Sequence, residues 1–337
     1  KIALSAEYTI TAGQAIAGYP VTFEITDKDG KQAKNVTLYL GNDKIKNPHT
    51  FTAAGRYTVY ARDDAGKRSW NYDVVVSALG TDDAGAPFGI QNNISGDGSS
   101  KKTITWLAAI NGSEDAAYIK IAESEAALDS AESKAGTSRL FTFTETNSGN
   151  AYRLNEVKLS GLESGKTYYY KVGDGEKWSD VLNFTTAAAD KNADTNFFVF
   201  ADIQTNNTAN LSAAIELVKN SDKKYAFGIQ TGDAIDNVTN FSNCRAYLTT
   251  LNAGALGSID VMHTLGNHEY YGDGSGEIAG SMFSVPTHTQ GSYYSAEYGS
   301  VYAGVINDGG DILEALKEAK EDAAKSECAW KVLVLHQ

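Results

Sequence analysis

Four apolar runs in this chain each end in side chains that can hold a metal ion. Residues 197–201 (Phe-Phe-Val-Phe-Ala) run into Asp202, Ile203 and Gln204. Residues 225–230 lead to Thr231, Gly232 and Asp233. Residues 259–263 lead through Thr264 and Leu265 to Gly266, Asn267, His268 and Glu269, and residues 330–335 lead to His336. Carboxylates, an amide oxygen and neutral imidazoles on rigid supports make a donor set for divalent cations. Two such cations roughly 3.5–4 Å apart clamp the attacking and leaving oxygens of a displacement at phosphorus and lower the pKa of bound water. The four strand ends fit what hydrolysis of a phosphate ester requires.

That chemistry requires the four runs to be strands whose carboxyl ends share one rim. Residues 210–220 and 241–251 carry apolar residues at helical spacing between the runs, so the pattern reads β, α, β, α, β. Such alternation predicts an α/β domain with parallel neighbours, and right-handed crossovers bring successive strand ends to the same edge. Open α/β sheets place their sites there. Taken singly, Asp202 or Asp233 reads as a helix cap, His336 as a locally satisfied histidine, and His263, inside its strand, as a core histidine. The ordered set of four strand ends outweighs these readings for Asp202, Asp233 and His336, while His263 stays a core histidine. Residues 270–292, rich in Gly, Ser and Tyr, predict a long loop on the substrate side, where Tyr271 and His288 could touch a ligand or be plain loop residues. A hairpin over 293–299 and 301–306 and a helix over 311–324 complete the region.

Two all-β segments stand in front. Residues 1–79 alternate in short strands separated by turns such as Asp27-Lys28-Asp29-Gly30, predicting a small sandwich, with His49 in a loop. Residues 88–187 predict a second sandwich: Trp106 is its core tryptophan, Tyr168, Tyr170 and Val172 share one face, and Tyr168 sits where a tyrosine corner falls. Residues 123–134, rich in Ala and Glu, predict a short helix. Residues 79–87 and 187–194 read as linkers, and the third segment is 195–337.

The chain has 337 residues and a formal net charge of −13. No basic block is present, which argues against a nucleic-acid backbone as partner; a small phosphorylated substrate is compatible, because bound cations dominate the local field. No apolar run is long enough to span a membrane. Cys244 and Cys328 are read as buried thiols or as one bridge.

The order Asp-x-Gln, Gly-Asp, Gly-Asn-His-Glu, His resembles the calcineurin-like metallophosphoesterase superfamily, and the preceding sandwich makes its purple-acid-phosphatase-like branch the best match. Residues 159–172 resemble the late strands of a fibronectin type III domain, and 1–79 resemble bacterial Ig-like domains. The resemblance implies two all-β sandwiches followed by an α/β metallophosphoesterase sandwich. It implies two metal ions (Fe, Zn or Mn): Asp202 on the first, Asp233 bridging both, Asn267 and His336 on the second. It makes His268 the general acid, held or tuned by Glu269, and water the nucleophile, with no covalent enzyme intermediate. Phosphomonoesters are the expected substrates, and the expected location is extracellular or the cell surface of a bacterium.

Three departures matter. Gln204 stands where many members have a histidine ligand. Asp236 stands where true purple acid phosphatases have a ligand tyrosine, so the purple colour is not expected. The Gly-His-x-His motif that normally completes the site does not occur: the five histidines are His49, His263, His268, His288 and His336. The chain is accordingly expected to be a C-terminally incomplete domain with exposed apolar surface, inactive or metal-weak alone. A catalytically degenerate surface-binding protein is the competing reading, and a carbohydrate-binding one the third.

Overall fold

The computed structural model describes residues 6–82, 85–94, 96–110, 116–144, 149–204, 208–252, 257–272, 274–287 and 291–337. The chain forms two compact units. One comprises Lys1–Gly80 and Leu140–Tyr152, the other Thr81–Arg139 and Arg153–Gln337.

The first unit is all β. Val36–Leu40, Gly55–Asp63 and Tyr72–Leu79 pair antiparallel, and Tyr8–Ala12 pairs with Phe23–Asp27. Alternation along these strands sends Ile10, Phe23, Ile25, Leu38, Val59, Val74 and Val76 into one core. His49 belongs to a two-residue strand, His49–Thr50, and packs edge-on against Phe51. The first residues of the long strand Gly149–Leu159 also fall in this unit, where Asn150 and Ala151 pair in parallel with Ala78 and Leu79.

The second unit begins with a sandwich. Pro87–Asn93, Lys102–Ala108 and the later part of Gly149–Leu159 form one sheet, and Tyr118–Ala122, Thr167–Gly173 and Leu182–Thr185 the core of the other. Trp106, Ile119, Val157, Tyr170 and Phe184 fill the space between. The Tyr168 hydroxyl accepts from the Glu163 backbone N–H at 2.9 Å, the contact of a tyrosine corner. The helix expected over 123–134 is reduced to one 3-10 turn, Glu125–Ala127. Ser124 supplies no capping hydrogen bond, and buried Leu128 anchors the turn before Lys134–Ala135 joins the sheet. Without a cap or an apolar stripe, alanine propensity alone does not hold a longer helix.

An α/β sandwich follows in the same unit. Three parallel strands, β1 (Phe197–Phe200), β2 (Phe227–Thr231) and β3 (Asp260–Thr264), lie in sequence order. Helices α1 (Ala209–Lys219) and α2 (Phe241–Asn252) connect them. A second sheet contains the hairpin β4 (Tyr293–Tyr298) and β5 (Val301–Ile306), with β6 (Trp330–Val334) parallel to β5. The two sheets face each other: the Tyr298 ring lies 4.9 Å from Phe227, and the Tyr294 hydroxyl donates to the His263 carbonyl at 2.7 Å. Helix α4 (Ile312–Lys325), capped by Asp311, covers the outer face of β4 and β5 with Ala315 and Ala319. Among the described residues, β1 and β6 are edge strands, and Val199, Trp330 and Leu333 on them are exposed.

The segment 270–292 is not a plain loop. It contains helix α3 (Glu277–Phe283), five of whose seven residues are buried. A helix covered on most sides shows no amphipathic period, and Gly276 and Gly280 mimic loop composition. Its Phe283 ring stacks on His263 at 3.8 Å, while the Tyr247 hydroxyl lies 3.0 Å from His263 Nε2. Burial pushes the His263 imidazole down to about 3. A folded-state pKa below the unfolded one means stability that is full above about pH 6.5 and is lost as pH falls toward 3, at roughly 1.4 kcal/mol per pH unit. Thermal unfolding between pH 7 and 4.5 should therefore decline more steeply for the native chain than for His263→Gln; parallel curves would remove His263 as the cause. Cys244 and Cys328 are both buried free thiols.

Candidate metal centre

The register of β1, β2 and β3 is level, so their carboxyl ends reach one edge together. Each chain then turns sharply. Asp202, Gln204 and Asp233 have φ of 54°, 26° and 55°, in the left-handed region that non-glycine residues seldom occupy. Backbone bonds tie the first two turns together: Asp202 N–H donates to the Gly232 carbonyl and Gln204 N–H to the Asp233 carbonyl, both at 3.2 Å. The Gln230 side chain, fully buried, braces the second turn through the Gly232 carbonyl (2.7 Å) and N–H (3.1 Å). Two glycines are required by close approach. A Cβ on Gly232 would lie 2.5 Å from the His336 ring, and one on Gly266 would lie 2.4 Å from Asp233 Oδ1.

These turns bring Asp202, Asp233 and His336 together, with one ligand atom of each within 4.8 Å of the others. Asp233 is buried, His336 half-buried and Asp202 exposed. The His336 ring is pinned by Nδ1, which donates to the Thr231 carbonyl at 2.8 Å. A carbonyl only accepts, so Nδ1 carries the proton and a neutral ring presents a bare Nε2 lone pair. That nitrogen lies 3.2 Å from Asp233 Oδ2. Two acceptors at that distance repel unless a proton or a cation sits between them. Burial pushes the His336 imidazole down, but the Thr231 carbonyl and the carboxylates of Asp233, Asp202 and Asp308 outweigh it and hold the group above its usual value. The arrangement fits a cation: an oriented imidazole, two carboxylates and the fixed hydrogen bond behind the ring are the parts of a metal site.

His268 is built in the same way. Its Nδ1 donates to the Asp236 carbonyl at 2.8 Å, and its Nε2 lies 3.8 Å from Asp233 Oδ2. Its backbone N–H donates to Asp233 Oδ1 at 2.9 Å. Asp236 also places a carboxylate oxygen 3.6 Å from Nδ1. Asn267 is beside the cluster on the 3-10 turn Asn267–Tyr270, but its carboxamide is engaged elsewhere: Nδ2 donates to the Tyr271 hydroxyl at 3.0 Å and Oδ1 accepts from Gln337 at 2.8 Å. Tyr271, half-exposed, lies 4.4 Å from the His268 ring. His288 lies outside the described residues.

Glu269, expected to hold or tune His268, sends its carboxylate to backbone N–H groups rather than to the His268 ring. Its side chain is fully buried and accepts three backbone N–H groups: Asp233 and Gly266 on Oε2 at 2.9 Å, and Ile235 on Oε1 at 3.0 Å. Burial pushes its carboxyl up to about 7, and these N–H groups pull against that shift. Glu269 thus ties the Asp233 turn to the Gly266 turn. Asn307, also fully buried, was not singled out in the sequence. It accepts the Leu265 N–H at 2.8 Å, and the Asp308 N–H returns a bond to the Leu265 carbonyl at 2.8 Å. The only sequence sign was an amide closing the apolar run 301–306.

A layered α/β sandwich with a carboxylate–imidazole cluster at its strand ends defines a metallophosphoesterase-type domain. Residues 195–337 match the calcineurin-like phosphoesterase family, and residues 87–186 match the purple acid phosphatase N-terminal domain. The chain therefore carries a purple acid phosphatase N-terminal domain followed by a calcineurin-like phosphoesterase domain. The structure of purple acid phosphatase PPD1 from yellow lupin (Lupinus luteus) seeds overlaps it with a TM-score of 0.56 at 13% identity, covering 99% of this chain and 73% of that one. A PhoD structure overlaps with a TM-score of 0.49 at 15% identity, covering 75% and 63%. Comparison with curated proteins gave no match. Among the described residues, no helix is long and apolar enough to cross a membrane.

Proposed function

We propose that this site hydrolyses phosphate esters, phosphomonoesters first, with two metal ions held by Asp202, Asp233, Asn267 and His336. The observation that carries the reading is the His336 Nε2 lone pair fixed against the buried Asp233 carboxylate. Asp202 would hold the first ion, Asp233 both, and His336 the second; Asn267 would join by turning its carboxamide away from Tyr271 and Gln337. When bound, the metal supplies Lewis acidity toward phosphate oxygens and lowers the pKa of water. The chain's own residues do the rest. Glu269 and the two glycines fix the turns, and the His268 backbone N–H orients Asp233. A neutral His268 keeps its proton on Nδ1 for the Asp236 carbonyl, so the proton it would give up as an imidazolium is the second one, at Nε2 and facing the cluster. That proton is available to a leaving alkoxide.

Chelation of the full-length protein should abolish hydrolysis of p-nitrophenyl phosphate, and returning Mn or Zn should restore it. His268→Ala should lower kcat by about 10²–10⁴-fold on an alkyl phosphate. The loss should be much smaller on p-nitrophenyl phosphate, whose leaving group needs no proton. Chelator-resistant turnover would remove the metal reading; equal losses on both esters would remove the general-acid role; bound metal without turnover would leave a binding protein on a phosphoesterase fold.

A further inference from the structure

Gln204 reaches into the centre of the cluster. Its Nε2 lies 2.5 Å from Asp233 Oδ2 and 3.5 Å from Asp202 Oδ1. Buried Ile203 anchors the turn between Asp202 and Gln204, and the Gln204 backbone N–H is fixed on the Asp233 carbonyl. The amide is thus placed by the backbone. With two carboxylates facing it, the amide turns its NH₂ end inward. A cation among the same atoms reverses that preference, and half a turn about the terminal torsion presents Oε1 instead.

We propose that Gln204 is a metal ligand through Oε1, and that it biases the Asp202 side of the centre toward oxygen-preferring divalent cations, Mn²⁺ or Mg²⁺, over Zn²⁺ or iron. The proposal rests on the metal-site reading above. Asp202, Asp233 and Gln204 offer carboxylate and amide oxygens, and His336 brings an imidazole nitrogen to the same cluster. Oxygen donors suit Mg²⁺ and Mn²⁺, whereas added imidazole shifts selectivity toward zinc, iron and copper. Zn²⁺ binds more tightly than Mn²⁺ to most sites, so the informative quantity is the ratio of the two affinities and its change on substitution. Histidine is one of the residues that tolerate positive φ, so Gln204→His is compatible with the turn.

The test is direct binding of Mn²⁺ and Zn²⁺ to metal-stripped full-length protein by chelator competition, with folding checked by circular dichroism. Gln204→His should raise the Zn²⁺-to-Mn²⁺ affinity ratio tenfold or more. Gln204→Ala should weaken Mn²⁺ at least tenfold. Pulsed electron paramagnetic resonance of bound Mn²⁺ should show one more imidazole nitrogen in Gln204→His than in the native protein. An unchanged ratio together with unchanged Mn²⁺ binding in Gln204→Ala would overturn the ligand role. If Asp233→Asn still abolished binding in that case, the metal site itself would stand; if the native protein bound neither ion, both readings would fall.

Discussion

Glu269→Ala should abolish turnover and lower the melting temperature of the phosphoesterase unit by roughly 10 °C or more. The carboxylate is fully buried and takes the backbone N–H groups of Asp233, Ile235 and Gly266. Hydrogen bonds to a charged acceptor are each worth about 1.5–3 kcal/mol, and a buried donor left unmade costs about 1–3 kcal/mol. Three orphaned donors put the loss at about 3–9 kcal/mol, and each kcal/mol moves Tm by about 2–4 °C in a domain of this size. The damage falls on the two turns that carry Asp233, Asn267 and His268. Glu269→Gln keeps an acceptor oxygen but turns an NH₂ toward one of the N–H groups, so it should fall between the native protein and alanine. Thermal unfolding with turnover separates this from a role in tuning His268. Tuning alone would change the dependence of rate on the leaving group and leave Tm in place.

Lys102→Met should cost about 3–5 kcal/mol, and most of that should return in Lys102→Met/Asp260→Leu. Lys102 stands on the fibronectin-like sandwich and Asp260 opens β3. They form an ion pair, and both side chains are 1% exposed. The Lys102 ammonium also sits 4.8 Å above the Phe184 ring. Burial pushes the Asp260 carboxyl up, and the Lys102 charge with its hydrogen bond works against that shift. Removing only the lysine leaves a buried carboxyl with the Tyr298 hydroxyl as its remaining contact, so it must be charged without a counter-ion or take up a proton. Removing both leaves apolar side chains, which in buried ion pairs is often neutral or better. Denaturant unfolding of the two single variants and the double variant gives the coupling; additive losses would show that the pair is not an energetic unit. The larger expectation is that this contact fixes β3, and through it the Gly266 turn, on the preceding sandwich.

The strand ends were legible because the physics that places them is local. Apolar runs of five or six residues ended in Asp, Asn or His, and each became a strand ending at or within a residue or two of the expected point. Trp106, Tyr168 and His263 were legible for the same reason, as large or ring-bearing residues within alternating or apolar runs. What stayed hidden depends on contacts that leave no mark in composition. Glu269 works on backbone N–H groups of residues 233 and 235, which have no side-chain signature. Helix α3 is buried on too many sides to show a period. Asn267 carries an amide oxygen just beyond β3, yet its carboxamide is held by Tyr271 and Gln337, a choice that packing and not composition decides. Gln204 is a clear departure in sequence, but its reach to both carboxylates follows from two left-handed residues in a three-residue turn.

The central claim is that Asp233 is the shared ligand of a metal centre. Its most direct test is metal content per chain, by elemental analysis of full-length native protein and Asp233→Asn after equilibration with Mn²⁺ and removal of free ion. The native protein should retain two equivalents and Asp233→Asn close to none, with both folded. A native protein that retains no metal, or an Asp233→Asn variant that retains as much as the native one, would contradict it.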